Sequence, residues 1–195
     1  MKKWILAGVL VLIAFLIYRF FVGTYNNLVA KDETVSAQWA NVESQYQRRL
    51  DLIPNLVNTV KGYAEFEKST LTQVIEARAK ATQVKVDPKN LTPEGLQQFQ
   101  QAQGELGNAL GRLMVVIERY PELKANQNFL ELQAQLEGTE NRIAVERQKF
   151  NDMSKDFNVY IRRFPQNLLA GMYGFQNKIY FESDKGAEQA PKVQF

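Results

Sequence analysis

The side chains that could do chemistry in this sequence are few, because the chain contains neither histidine nor cysteine. This composition excludes Ser-His-Asp and Cys-His catalysis, thiolate nucleophiles, conventional structural zinc sites and haem ligation by these residues. Glu140 and Glu146 are the one pair of carboxylates that suggests acid–base chemistry. Six residues apart on a helix, they do not face each other directly. We therefore predict a non-enzymatic protein with no catalytic, cofactor-binding or metal-binding residues. The alternative is an enzyme or ligand-binding protein that uses a buried carboxylate cluster.

Polar residues also interrupt the apolar pattern of the segment that holds this pair. Thr139 and Glu146 occupy positions of a heptad pattern that is otherwise made of Leu, Ile and Phe. A buried polar layer of this kind fixes helix register, because only one alignment satisfies its hydrogen bonds. We favour this role over a ligand or ion site built from Glu140, Asn141 and Glu146.

A second polar cluster surrounds a proline. Pro54 lies within an apolar pattern that continues in phase across it, so we predict a kinked helix rather than a reversal of the chain. The segment Asp51–Asn55 is either a recognition site or a kink that fits two helices together, and we favour the kink. A new helix capped by Asp51 and a break at Gly62 remain alternatives. The adjoining Arg48 and Arg49 could pair with acids on another helix, although solvated charges are the commoner outcome.

Three glycines form the last candidate motif. Gly104, Gly107 and Gly111 follow one another at spacings of three and four, which places them on one side of a helix. Each costs about 1 kcal/mol relative to alanine in a helix interior. Such a face lets a second helix approach closely. We favour a neighbouring helix of the same chain and keep docking of a separate partner as a hypothesis.

The helices that must position these residues follow an apolar segment near the start of the chain, Trp4–Val22. The only charged residue in this segment is Arg19. As a helix it would be about 28 Å long, close to the thickness of bilayer hydrocarbon. The alternative is a cleaved signal peptide, but bulky residues follow the segment where small residues would mark a cleavage site. We predict an uncleaved single-pass anchor in the cell membrane. Lys2 and Lys3 precede it, which favours an extracytoplasmic, periplasmic body over a cytoplasmic one.

Outside the anchor the chain carries no net charge. Lys2, Lys3 and Arg19 account for three of the 24 basic residues, so residues 20–195 hold 21 basic and 21 acidic side chains. A neutral body without a basic block gives little reason to bind nucleic acid, and it argues against a large charged patch for anionic lipids. We predict membrane lipid as a partner through the anchor, and no nucleic acid.

The body is predicted to be helical almost throughout, because apolar residues recur at spacings of three and four and strand-like alternation is rare. Long helices are expected over about 24–61, 65–84 and 92–120, and from Asn126 or Asn128 to the residue before Pro165. Thr92 is a good N-cap, and Pro93 suits the first helical position. A short helix over Gln166–Gly171 and an extended aromatic tail follow. The predicted domains are a flank at 1–3, a transmembrane anchor at 4–22, a helical bundle at 24–172 and the tail at 173–195.

Several blocks of the chain resemble signatures of the LemA family. They are Tyr25–Val29, Arg48–Val57, Val60–Ala64, Tyr120–Ala125, Asn128–Phe129, Thr139–Ala144, Phe164–Pro165, Gly174–Phe175 and Pro191–Phe195. The resemblance implies a bacterial single-pass membrane protein with an up-and-down bundle of about four long helices, an all-α fold. It implies no established activity. Genes of this family are often found near genes of membrane metalloproteases, which is an association and not a mechanism. Many members have a histidine near the position of Phe66, and this chain has none.

Together these features predict a membrane-anchored scaffold or adaptor of the bacterial cell envelope that binds other proteins. Its partners would be membrane or envelope proteins, with a membrane metalloprotease suggested by the family association. A self-assembling coiled coil is the further alternative, so a homo-oligomer stays open. The candidate protein-interaction residues are Arg48, Arg49, Asp51, Gly107, Gly111, Glu140 and Arg142.

Overall fold

The computed structural model describes residues 1–62, 67–88 and 91–182. These residues form helices and short connections, and no strand occurs among them. The helices, in chain order, are α1 (Lys2–Lys61), α2 (Lys68–Gln83), α3 (Pro93–Ile117), α4 (Pro121–Lys124), α5 (Gln127–Arg162) and α6 (Gln166–Met172). The predicted all-α class, with an N-terminal apolar helix and a bundle of four long helices, is confirmed.

Helix α1 joins the apolar segment to the bundle without interruption. It is 60 residues long and passes through both the predicted boundary near Gly23 and Pro54. Its first part is long and apolar enough to cross a membrane, and none of that window is buried by the rest of the protein. A large exposed apolar surface marks a site of contact with lipid or with another protein, which is consistent with membrane association.

The body is built from two pairs of helices that pack face to face. Helices α1 and α5 run antiparallel, as shown by contacts of Gln38 with Glu146 and of Arg49 with Glu140, and α2 and α3 form a second pair. Two apolar clusters fill the interior. The membrane-proximal core surrounds Trp39, Phe150 and Phe157, and the distal core surrounds residues such as Leu56, Leu106 and Leu113.

Local capping explains where the later helices begin. The Thr92 hydroxyl accepts a hydrogen bond from Gly95 N at 3.1 Å, with Pro93 in the first turn. The Asn126 side chain accepts from Phe129 N at 3.1 Å. Both caps are as predicted, because these side chains satisfy amides that a helix start leaves free. Helix α4 was not predicted, and it brings Leu123 into the distal core.

The chain after α6 is extended up to Glu182 and lies along the bundle. The Phe181 ring stacks on Trp39 with ring centroids 5.6 Å apart, and the Phe175 ring lies 6.2 Å from that of Phe157. These two aromatic side chains of the tail therefore pack on the bundle. Residues 183–195 of the predicted tail lie outside the described residues.

Candidate functional site

Arg49 lies at the centre of a polar layer that crosses the bundle. Its side chain is only 5% exposed. One terminal nitrogen donates to Glu140 Oε2 of α5 at 2.6 Å, and the other donates to Gln103 Oε1 of α3 at 2.6 Å and to the Gln103 carbonyl at 3.2 Å. The guanidinium also lies 5.2 Å from the centre of the Tyr46 ring, and burial raises the pKa of that phenol. One cation thereby joins three helices.

This layer separates the two apolar cores. Along α1, Tyr46 belongs to the membrane-proximal core and Leu50 to the distal core, with Arg49 between them. Thr139 of α5 lies at the same level and is buried, its hydroxyl donating to the Gln135 carbonyl at 2.7 Å. A one-turn slip of any of these helices would leave a buried charge without its partners, at a cost of several kcal/mol. The arrangement is suited to fixing register.

Glu146, the other member of the predicted carboxylate pair, lies in a different environment. It accepts hydrogen bonds from Lys149 Nζ at 2.8 Å and from Gln38 Nε2 of α1 at 2.6 Å. The bonds from Lys149 and Gln38 lower the pKa of this carboxyl below its ordinary value. Each carboxylate thus has its own basic partner, Arg49 for Glu140 and Lys149 for Glu146. A general acid needs a raised pKa, so this geometry does not favour the enzymatic alternative.

The proline in α1 is accommodated inside the protein. Pro54 lacks the amide that would bind the Leu50 carbonyl. Arg78 of α2 takes over this bond, with its Nε donating to the Leu50 oxygen at 2.9 Å. The acceptor that the proline frees is therefore used to attach α2 to α1, which favours the structural interpretation of Asp51–Asn55.

Gly107 and Gly111 lie in an open groove between α2 and α3. Its walls include Thr70, Gln73 and Val115, and Arg112 donates to Gln73 Oε1 across it at 3.1 Å. Among the residues that the structure describes, no atom comes within 4 Å of a Cβ placed on Gly104, Gly107 or Gly111, apart from the chain neighbours and the helix's own backbone. The structure therefore does not show the close intramolecular helix packing that we favoured for these glycines.

The remaining candidate residues are exposed. Arg48, Asp51 and Arg142 all lie on the surface, and Asp51 accepts a hydrogen bond from Gln47 Nε2 at 2.7 Å. The seven candidates therefore divide into the buried Arg49 with its partner Glu140, the two glycines of the groove, and three surface residues. Their assignment to protein binding stays a prediction, but Arg49 is too deeply buried to meet a partner directly.

Sequence reasoning missed two asparagines that hold the extended tail. Asn158 donates to the Lys178 carbonyl at 2.7 Å and accepts from Lys178 N at 2.7 Å, while Asn151 makes the equivalent pair with Phe181 at 3.0 and 2.8 Å. These bonds imitate the pairing of a strand with its neighbour. The only sign of this role in the sequence is that the two asparagines are seven residues apart and so lie on one side of α5. The apolar heptad beside them has the same spacing, which makes the asparagines hard to notice.

Comparisons with known proteins match most of the chain to one protein family. The family model described as "LemA family" matches residues 38–195. The chain is 30% identical over 186 residues to magnetosome protein MamQ 2 of Paramagnetospirillum magneticum, covering 87% of this chain and 68% of that protein. Magnetosome protein MamQ of Magnetospirillum gryphiswaldense matches with the same identity and coverage.

A more distant relative carries the family's own name. Protein LemA of Metamycoplasma hominis is 23% identical over 168 residues, covering 86% of this chain and 73% of that protein. None of the names of these three relatives states a reaction. The match extends from α1 through the polar layer, the glycine groove and the tail that α5 holds. The chain belongs to the LemA family.

Proposed function

We propose that this protein is a scaffold of the bacterial cell envelope, anchored by a single transmembrane helix, whose body binds other membrane or envelope proteins and catalyses no reaction. The observation that carries the proposal is the open groove between α2 and α3 at Gly107 and Gly111. Glycine in a helix interior costs about 1 kcal/mol, and within the described part of the chain no other helix lies within 4 Å of a Cβ placed on either glycine to explain that cost. A partner helix that enters the groove would supply the missing contact.

The chemistry of the groove indicates what kind of partner would fit. Val115 is 71% exposed beside the two glycines and forms, with Val116, the apolar part of the lining, whose other side chains are polar. Arg112 and Gln73 form a polar edge. A helix with small apolar residues on its contact face and an acid toward Arg112 matches this surface. Small residues let two helix backbones approach closely, as they do between helices in membranes.

The anchor explains how a weak surface contact can suffice. Confining the body to the membrane raises its effective concentration toward other membrane proteins, so affinity per contact need not be high. An extracytoplasmic body follows from Lys2 and Lys3 on the opposite side of the anchor. By family association a membrane metalloprotease is one candidate partner, and the relatives named MamQ are magnetosome proteins.

Filling the groove tests the proposal. Gly107→Leu places a large side chain in the groove, where a Cβ meets open space, so the free energy of unfolding should not fall. Photo-crosslinking from residue 111 in native membranes should capture a partner, and Gly107→Leu should abolish that product. Gly104→Leu is the matched control, since Gly104 is exposed on the same helix but does not line the groove.

Three outcomes are informative. Loss of the crosslink in Gly107→Leu but not in Gly104→Leu supports docking in the groove. An unchanged crosslink in both variants would show that this face is not the binding surface. A product that contains only a second copy of the chain would instead support the self-assembling alternative.

A further inference from the structure

A row of exposed apolar side chains lies at the end of the body from which the anchor emerges. Phe164, Leu168 and Met172 are 80%, 63% and 62% exposed. Their spacing of four residues places Leu168 and Met172 on one side of α6, with Phe164 in the turn before it. Leu169 and Ala170, on the opposite side, are buried in the bundle. The helix is therefore apolar on both sides, and only one side is covered by protein.

The position of α6 relative to the anchor is fixed by contacts with α1. The Tyr173 ring at the end of α6 lies 4.8 Å from the Tyr25 ring of α1. Tyr25 follows Val22, the last residue of the predicted anchor, by three residues, a rise of about 4.5 Å along the helix. Because α1 is continuous here, α6 lies at the height where a membrane-spanning α1 leaves the hydrocarbon.

Basic residues are frequent in the sequence around this end of the body. Residues 4–31 of α1 and residues 157–181, which include the end of α5 and all of α6, contain no aspartate or glutamate. Their charged side chains are Arg19, Lys31, Arg162, Arg163 and Lys178. Asp32 also lies at this end, where its carboxylate pairs with Lys178, whereas Arg162 and Arg163 are exposed directly before Phe164. Basic side chains beside an apolar surface match the headgroups and upper acyl chains of an anionic lipid layer.

We infer that the side of α6 formed by Phe164, Leu168 and Met172 rests in the headgroup layer of the membrane that α1 spans, with Arg162 and Arg163 at the lipid phosphates. Tyr25 and Tyr173 then occupy the interface, where tyrosines are enriched in membrane proteins. The body has two points of attachment to one lipid surface, and its axis is held at a set angle to that surface. This inference depends on the anchor and not on the glycine groove.

Depth-dependent fluorescence quenching tests this contact directly. Because the chain has no native cysteine, Leu168→Cys can be labelled uniquely with an environment-sensitive dye in the full-length protein. The protein is reconstituted into phosphatidylcholine–phosphatidylglycerol vesicles that contain nitroxide lipids at shallow or deep positions. Val115→Cys, exposed at the distal end, is the negative control, and Leu12→Cys within the anchor is the positive control.

The expected result is a blue-shifted emission from the dye at residue 168, with stronger quenching by shallow than by deep nitroxides. A helix that lies in the interface is buried about 5–10 Å into the boundary between headgroups and acyl chains. The double variant Phe164→Glu/Met172→Glu should lose this quenching, since two carboxylates would then face the lipid. Arg162→Glu/Arg163→Glu should weaken it in vesicles that contain phosphatidylglycerol.

Two other results are distinguishable from lipid contact, and either one would overturn the inference. A dye at residue 168 that behaves like the one at residue 115 means that the face is in water. A signal that grows with the protein-to-lipid ratio means that a second copy covers it. In both cases deep quenching at residue 12 would persist, so the anchor and the scaffold proposal would stand. Absence of quenching at residue 12 would remove the anchor itself.

Discussion

Arg49 illustrates how a single charged side chain is held inside an apolar bundle. Removing a guanidinium from water is costly, and the cost is offset only when hydrogen bonds and an opposite charge accompany it. Gln103 supplies two acceptors, Glu140 supplies the charge, and Tyr46 supplies an aromatic face. Glu140 itself remains 61% exposed, so only one of the two charges is fully desolvated. This asymmetry limits the penalty for burying the pair.

Replacing Gln103 with leucine should destabilise the protein by about 1–3 kcal/mol, because a buried nitrogen of Arg49 loses the nearer of its two acceptors and keeps only the Gln103 carbonyl at 3.2 Å. The free energy of unfolding, measured with urea in detergent micelles through the fluorescence of Trp39 in a Trp4→Phe background, provides the value. Gln98→Leu on the exposed side of α3 is the control and should change it by no more than about 0.5 kcal/mol. An equal effect of the two substitutions would argue against the polar layer.

Glu146 should make the stability dependent on acid pH. The bonds from Lys149 and Gln38 lower its folded-state pKa below the ordinary value of 4.5, so the ionised form contributes stability above about pH 4.5. That contribution is lost as the pH falls through the folded-state pKa. The difference in unfolding free energy between the native chain and Glu146→Gln should be constant near neutrality and shrink below pH 4.5. A difference that does not change down to pH 3 would contradict this prediction; Glu43→Gln controls for removal of a charge.

At the level of residues, the sequence revealed which side chains are unusual but not what they contact. The polar interruption at Thr139 was visible because it breaks an apolar period, and a register-setting layer was expected there. Its central residue is nevertheless Arg49, which lies beside the apolar period of α1 rather than within it. To recognise Arg49 as the centre of the layer, one must know how α1, α3 and α5 are aligned along the axis of the bundle. The apolar pattern of one helix does not give that alignment.

Helix boundaries, by contrast, were largely predictable, because they depend on neighbouring residues. Thr92 and Asn126 cap α3 and α5 through their own side chains. Continuity of α1 through Pro54 was expected from the unbroken apolar period. The partner of the freed Leu50 carbonyl was not, since Arg78 lies on another helix. Helix α4 escaped prediction because a segment of four residues has no period.

The asparagines of α5 should be essential for holding the extended tail. Asn158→Leu removes bonds to the backbone of Lys178 in both directions, so that a half-buried amide and carbonyl lose their partner. We expect a loss of about 1–3 kcal/mol and faster tryptic cleavage after Lys178, whose side chain is only 14% exposed and paired with Asp32.

Asn141→Leu is the matched control for this experiment, because Asn141 is exposed on the same helix. It should alter neither stability nor cleavage. Similar tryptic rates for Asn158→Leu and Asn141→Leu would show that ring contacts such as that of Phe181 with Trp39 are sufficient to hold the tail.

For the whole molecule, the testable property is the side of the membrane on which the body lies. We expect Val115→Cys, exposed near the distal end, to react with a membrane-impermeant maleimide in intact spheroplasts. Lys3→Cys, before the anchor, should react only after permeabilisation. The charge bias from Lys2 and Lys3 is the physical reason, and the reverse labelling pattern would place the body in the cytoplasm.

The unbroken course of α1 has a mechanical consequence. With the proposed anchor ending at Val22, the helix extends about 58 Å farther to Lys61, and no break in α1 separates the two parts. Helices that span a membrane are tilted by about 20° on average. Such a tilt carries the far tip sideways by about 20 Å. The angle at which the anchor and α6 meet the lipid therefore sets how far the outer end of the body lies to one side of the point of insertion.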